Sequence, residues 1–269
     1  TEGQIGALKS PAIHVRNLGF VALKKKGEAA LPAVEALLGD DNPYIQARAI
    51  FLLPHLGANG IAATQKIATG GNDAMQRTAA FRALRRTGQA LPNLASDPSP
   101  AVRREVALSC RNLPLEQSRD QLVEIARQFD GNDRSYLEAF GTGASGKESG
   151  IYDAVKSSIG NDDPLKWSDA FARIAWRLHP RQSIADLLAR ALSDQLSDSH
   201  RKLAMTAIAF NDSRAAADAM QEIAAQEKSP LKTTAMWWLL NRSGNLWANH
   251  DLMPKLKSRG IYDPATIVL

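Results

Sequence analysis

Between Asp97 and Pro114 the chain reads DPSPAVRREVALSCRNLP, with apolar Val102, Val106, Leu108, Cys110 and Leu113 set against Arg103, Arg104, Glu105 and Arg111 at roughly helical spacing. That pattern predicts a helix that starts at Pro100 after a turn and stops before Pro114. The same grammar recurs upstream: a turn, an Arg-type residue soon after it, and a helix-stopping Gly or Pro. Arg16 to Gly27, Gln46 to Gly57, Arg77 to Gly88 and Arg103 to Pro114 are each eleven residues apart. Four equal spacings mark an internal repeat.

Taken in order, the pattern predicts helix pairs. Residues 3–9 precede 13–27, 29–38 precede 45–57, 61–68 precede 75–88, and 91–95 precede the helix at Pro100. Further on, 115–129 reads as a long amphipathic helix, 136–140 as a short apolar segment, and 141–150 as a glycine-rich loop. Pairs are then expected at 151–159 with 165–178, 184–196 with 201–210, and 215–225 with 232–240, before a last segment at 246–257. The expected fold is all-α, a right-handed α-α superhelix of about seven to eight helix pairs, because a two-helix unit has an apolar face that only its neighbour can cover. The array is expected over 1–259, firmest over 1–114 and more divergent over 115–259. Residues 260–269 are expected to be a tail that folds back over the last pair and leads to a further module. Small Ala22, Ala49, Ala79, Ala83, Ala107 and Ala207 would let helices approach closely. The Arg-type position is read as structural, stacking on or hydrogen-bonding to the neighbouring unit.

Charge and cysteine usage narrow this picture only slightly. The 33 basic against 28 acidic residues leave a net charge of +5, which allows an anionic partner without demanding one. The single cysteine, Cys110, excludes an intrachain disulfide and lies at a core position. No signal peptide and no membrane-spanning apolar run is visible, so membrane insertion is not expected. The start at Thr1 and the end at Ile267-Val268-Leu269 suggest a piece of a longer polypeptide.

SPAIHVRNLGFVALKKKG, DDNPYIQARAIFLLPHLG and SDPSPAVRREVALSCRNLP resemble HEAT repeats of the bacterial, PBS-lyase-like kind. LVEIARQFDGNDRSYLEAFGTGASGKESGIYDAV and the closing LMPKLKSRGIYDPATIVL resemble the HEAT region of large exported bacterial proteins, in which a membrane-bound-dehydrogenase-like propeller is followed by HEAT repeats and a cytochrome c domain. The resemblance implies a periplasmic or exported, non-catalytic scaffold. It would act as a spacer within a larger redox protein, meeting another protein or adjacent domains of the same polypeptide. It carries over no functional residue: a chain with one cysteine has no Cys-x-x-Cys-His for haem.

No cofactor, metal or catalytic residue is expected. Gly141 to Lys147 fits the G-x-x-x-x-G-K skeleton of a phosphate loop, but Glu148 stands where Ser or Thr should hold Mg²⁺ and no strand precedes it. His14, His55, His179, His200 and His250 show no metal-ligand spacing. Lys24-Lys25-Lys26, Arg85-Arg86, Arg103-Arg104 and Arg111 read first as cations near helix ends, and second as a basic ridge of aligned helix ends. Trp237 and Trp238 are adjacent on one helix and cannot share a core, so one of them, or Trp247, is expected to cover a partner surface. The possible partner-binding residues are therefore Arg85, Arg86, Arg111, Trp237, Trp238 and Trp247. A second reading is a HEAT-like nucleic-acid-binding protein or DNA glycosylase. The modest charge and the clustering of Trp at one end argue against it, and nucleic acid is not the expected partner.

Overall fold

The computed structural model describes residues 1–262. Among these the chain is all-α, with no strand. It divides into two compact units, Thr1–Cys110 and Arg111–Leu269. The first unit holds α1 (Glu2–Lys9), α2 (Ile13–Lys26), α3 (Leu31–Glu35), α4 (Pro43–Leu52), α5 (Ala58–Gly70), α6 (Ala74–Arg86) and α7 (Pro100–Ser109). The second holds α8 (Leu115–Arg127), α9 (Arg134–Gly143), α10 (Glu148–Ile159), α11 (Asp169–Leu178), α12 (Ile184–Leu192), α13 (Asp198–Ala209), α14 (Arg214–Ala224), α15 (Lys232–Ser243) and α16 (Leu252–Ser258).

The eleven-residue spacing has a physical cause in the first unit. Each Arg-type residue is the fourth of its helix: Arg16 in α2, Gln46 in α4, Arg77 in α6 and Arg103 in α7. From there the side chain reaches back to carbonyls of the turn that leads into the helix. Arg16 Nη1 donates to Pro11 O at 3.3 Å, Gln46 Nε2 to Asp40 O at 2.6 Å, and Arg103 Nη1 to Asp97 O at 2.6 Å and Pro98 O at 3.0 Å. Arg77 does the same to Gly71 O at 2.8 Å and Asn72 O at 3.3 Å. It also grips the Asp97 carboxylate with two bonds, Nε to Oδ2 at 2.8 Å and Nη2 to Oδ1 at 2.9 Å. Asp97 belongs to the next turn along, so this one buried pair joins the turns before α6 and α7. Gln76 Nε2 donates to Gln46 Oε1 at 2.9 Å and links the α4 and α6 positions likewise.

Capping and close approach complete the frame. Asn42, Asp73, Asp133, Ser168, Ser197 and Ser213 accept backbone N–H bonds at helix starts, as their residue types predict. α1 packs on α2, α4 and α5 on α6, and α6 on α7. A Cβ at Gly19 would stand 2.5 Å from Leu8 N, so only glycine lets α2 lie this close to α1. Leu23, Val34, Leu52, Leu53 and Leu56 fill the core beside them.

The second unit is the more regular one, although its sequence repeats are weaker. α8, α10, α12 and α14 form one layer and α9, α11, α13 and α15 the other, each helix of the first layer packing on the next helix in sequence. Buried alanines at 172, 175, 204, 207, 216, 217 and 224 bring these helices together, and Phe140, Tyr152, Phe171, Met205 and Met220 fill the interior. Gly60 in the first unit and Gly150 in the second both lie inside helices, against Leu53 and Leu115.

Three sequence expectations need correcting. Residues 29–38 are not one helix: Gly27–Ala30 and Ala36–Gly39 are 3-10 turns around the short α3. Pro32 sits at the start of α3, where it supplies no N–H, and Gly27 turns with φ 61°. Residues 91–95 form no helix, since Pro92 disfavours helical geometry at Leu91 and Asn93 Oδ1 accepts from Ala95 N at 3.2 Å instead. The glycine-rich loop at 141–150 shrinks to residues 144–147, because α9 runs through Gly143 and α10 begins at Glu148. Inside these helices glycine leaves room for a neighbour: Arg177 packs where a Cβ at Gly141 would be, and Leu115 where one at Gly150 would be.

Burial alone would raise the Asp97 carboxyl, but bonds from Arg77 and Ser99 N–H and the Arg77 and Arg103 charges outweigh it and hold the group below the usual carboxylate range. Its contribution is therefore full above about pH 4, where the unfolded carboxylate ionises, and is lost as pH falls through the lower folded value. Asp97→Asn leaves Arg77 buried without its partner and should cost about 3 kcal/mol in a urea titration at neutral pH. The same variant should lose less stability than the parent on acidification, since it no longer has that proton to take up.

Candidate functional site

In the first unit the exposed apolar surface lies on the helices that follow the clamped turns. Tyr44 and Met75 are the second residues of α4 and α6, and they are 74% and 75% exposed. The caps fix them there: Asn42 Oδ1 accepts from Tyr44 N at 2.9 Å and Asp73 Oδ1 from Met75 N at 2.7 Å. Between them runs a groove of about 420 Å³ whose floor includes Ala47, Ile50, Phe51 and Ala79. Arg82 lines it as well, and the Phe51 ring carries the Arg86 guanidinium 5.3 Å from its centroid. Earlier in the same unit α2 turns Ile13, Leu18 and Val21 outward, all more than half exposed.

The second unit carries aromatic rings and arginines along the α9, α11, α13 and α15 layer. Arg134 stacks on Trp176 at 4.8 Å, and both Arg134 and Arg177 pair with Glu138. Burial would raise the Glu138 carboxyl, but the Arg177 bond and the two positive charges hold it below its ordinary value. His179 and Phe210 stand 6.1 Å apart, Phe210 and Trp238 5.7 Å, and Trp238 and Trp237 4.7 Å between ring centroids. Arg242 lies 5.0 Å from the Phe210 centroid and 4.9 Å from that of Trp238, while its Nε donates to Ala209 O at 2.9 Å. His179 caps α11 in the left-handed region (φ 32°), held by an Nδ1 contact to Trp176 O at 3.1 Å and by Asn211 Nδ2 on its carbonyl at 2.8 Å.

The residues predicted to meet a partner separate into three groups. Trp237 is 55% exposed and Trp238 half-buried beside it, so both lie on the ridge just described. Trp247 does not: it is fully buried, and its indole N–H donates to Asn211 O at 2.8 Å. The expectation that it covers a partner surface is wrong, because that bond and its packing use both its polar and apolar parts. Arg85 turns inward as well, sharing the buried Glu105 carboxylate with Arg82 at 3.2 Å and 2.6 Å. Arg103 is occupied by its turn. Of the residues expected to form a basic ridge, Lys24, Lys25, Lys26, Arg86 and Arg111 are exposed; Arg86 stacks on Phe51, and the Arg111 carbonyl accepts from Lys147 Nζ at 3.3 Å. A further set of arginines, Arg134, Arg173, Arg177 and Arg242, is scattered in sequence over α9, α11 and α15.

The phosphate-loop skeleton has a structural use. Lys147 Nζ donates to Leu113 O at 2.9 Å and Arg111 O, and Gly146 N donates to Glu148 Oε1 at 3.0 Å. Among the described residues no group of three His, Cys, Asp or Glu side chains is placed to hold a metal ion, and no helix is long and apolar enough to cross a membrane. The expected fold-back of residues 260–269 lies largely outside the described residues, although Ile261 N and Tyr262 N both donate to Leu256 O. No protein-family model matches the chain, and no curated protein matches it.

Two tryptophans ten residues apart should therefore behave oppositely. Trp247→Ala should destabilise by about 3–5 kcal/mol, through the cavity and the orphaned Asn211 carbonyl. Trp237→Ala should stay within about 0.5 kcal/mol. Paired chemical denaturation curves followed by circular dichroism decide this.

Proposed function

We propose that the chain is a non-catalytic docking scaffold, a HEAT-like right-handed superhelix whose outward helices hold protein segments or adjacent domains of a larger bacterial redox protein. The observation that carries the reading is the α4–α6 groove. Tyr44 and Met75, the second residues of α4 and α6, are large apolar side chains left three-quarters exposed. Exposed apolar surface of this kind marks sites where another molecule is buried. The internal demands of the fold are met elsewhere: the slot residues are used by their own turns, and Arg82 and Arg85 by Glu105. The backbone that carries Tyr44 and Met75 is fixed by the Asn42 and Asp73 caps, which lowers the ordering cost of binding there.

The test is a random-peptide display selection on the folded chain, repeated on the double variant Tyr44→Ser/Met75→Ser. Enriched peptides with apolar anchors, bound at least about tenfold more weakly by the double variant, are expected. A selection that enriches nothing, or winners indifferent to both substitutions, contradicts the reading.

A further inference from the structure

We propose that the aromatic and arginine ridge of the second unit is a docking site for an acidic protein segment, one in which carboxylates alternate with apolar side chains. The inference rests on the docking reading above and adds to it the chemical class of the partner. Three observations on the ridge select that class.

The first is charge. Along the ridge Arg134, Arg173, Arg177 and Arg242 stand with two carboxylates: Glu138, shared by Arg134 and Arg177, and Asp133, which lines the same cleft as Arg134 and Arg173. Arg173 lines a cleft of about 70 Å³ with Arg134 and Trp176, and Arg177 lines a neighbouring one of about 190 Å³ with Trp176, His179 and Phe210. The excess is positive along a continuous line of side chains, and it complements an anionic partner.

The second is where the guanidinium groups lie. Arg134 covers Trp176, and Arg242 lies against both Phe210 and Trp238. Nucleic-acid single strands bind by stacking bases on open ring faces, and here Trp176, Phe210 and Trp238 each have an arginine over the ring. A stacked guanidinium is fixed in direction, and its planar fork suits the two-oxygen geometry of a carboxylate. The ridge already holds one carboxylate in this way, Glu138 between Arg134 and Arg177.

The third is what is left exposed. Trp237 is 55% and Phe210 46% exposed, at the end of the ridge next to Arg242. They offer apolar contact beside the cations. A purely acidic chain would leave them wet, whereas a segment that interleaves Asp or Glu with Leu or Phe covers both.

Fluorescence anisotropy with defined probes tests this on the full chain. The probe is a labelled peptide of about twelve residues alternating Glu with Leu and Phe, roughly 40 Å when extended. The comparison probes are the same peptide with Gln for Glu, the same peptide with Lys for Glu, and an oligothymidine of about twelve nucleotides. The expected result is that the Glu peptide binds at least about tenfold more tightly than the other three, and more weakly as salt rises from about 50 to 300 mM. Arg173→Glu should weaken it about tenfold and Trp237→Ala by severalfold. Both side chains are exposed, and circular dichroism melts verify that the variants fold. If the Gln peptide binds as well as the Glu peptide and salt has no effect, the acidic class is wrong while the docking reading stands. If oligothymidine binds more tightly than any peptide, the ridge is a nucleic-acid surface, and both the class and the docking reading fail at this face. Glu-peptide binding that ignores Arg173→Glu and Trp237→Ala, or no binding by any probe, removes the proposal and leaves the docking reading to the Tyr44 and Met75 variants alone.

Discussion

The fold of the first unit depends on one recurring interaction: a long side chain at the fourth position of a helix bonded back to the carbonyls of the turn before it. A helix start leaves N–H groups unsatisfied, and the turn leading into it leaves carbonyls unsatisfied. Short Asx caps at Asn42 and Asp73 serve the first set, and Gln46 and Arg77 serve the second. The turn is thus tied at both polarities, and its shape is copied wherever the pattern recurs. Arg77 extends the device by holding Asp97 of the following turn, so the spacing between the turns before α6 and α7 is fixed by a buried ion pair and not by apolar packing alone.

The second unit solves the same problem with less repetitive means. Asn211 bonds to the carbonyl of His179, Trp247 to that of Asn211, Arg242 to that of Ala209, and Lys147 to those of Arg111 and Leu113. Each ties a helix end to a side chain about thirty residues or more further on, the reach of one helix pair in this unit. The residue types differ from pair to pair because Asn, Trp, Arg and Lys can all donate to a carbonyl. Polar side chains spent in this way leave the outward helix faces to apolar and cationic groups, and the candidate docking surfaces are the consequence.

This explains what could and could not be read from the residues alone. Helix positions were legible wherever Asp, Asn, Ser or Pro opened an apolar period, and the structural character of the Arg-type position was legible from its fixed distance to a stop. The continuity of residues 141–150 was not, because glycine reads as a loop former and only the neighbouring Arg177 and Leu115 show why it is needed inside a helix. Trp247 was misjudged for a similar reason. Its burial depends on an acceptor thirty-six residues away, which no local pattern reveals. The arginine ridge lay beyond local reading altogether, since Arg134, Arg173 and Arg242 come from three helices. Trp237 and Trp238 gave the only usable signal: two adjacent large rings on one helix cannot both be core.

The claim that the turn clamps set the fold of the first unit is tested most directly by hydrogen–deuterium exchange of Arg77→Gln against the parent. If the clamp is the governing constraint, amides of α4, α6 and α7 should lose protection together, while those of residues 111–262 keep theirs. Loss confined to residues 71–77, with α4 and α7 as protected as before, would show that the clamp is a local ornament and that apolar packing alone fixes the spacing.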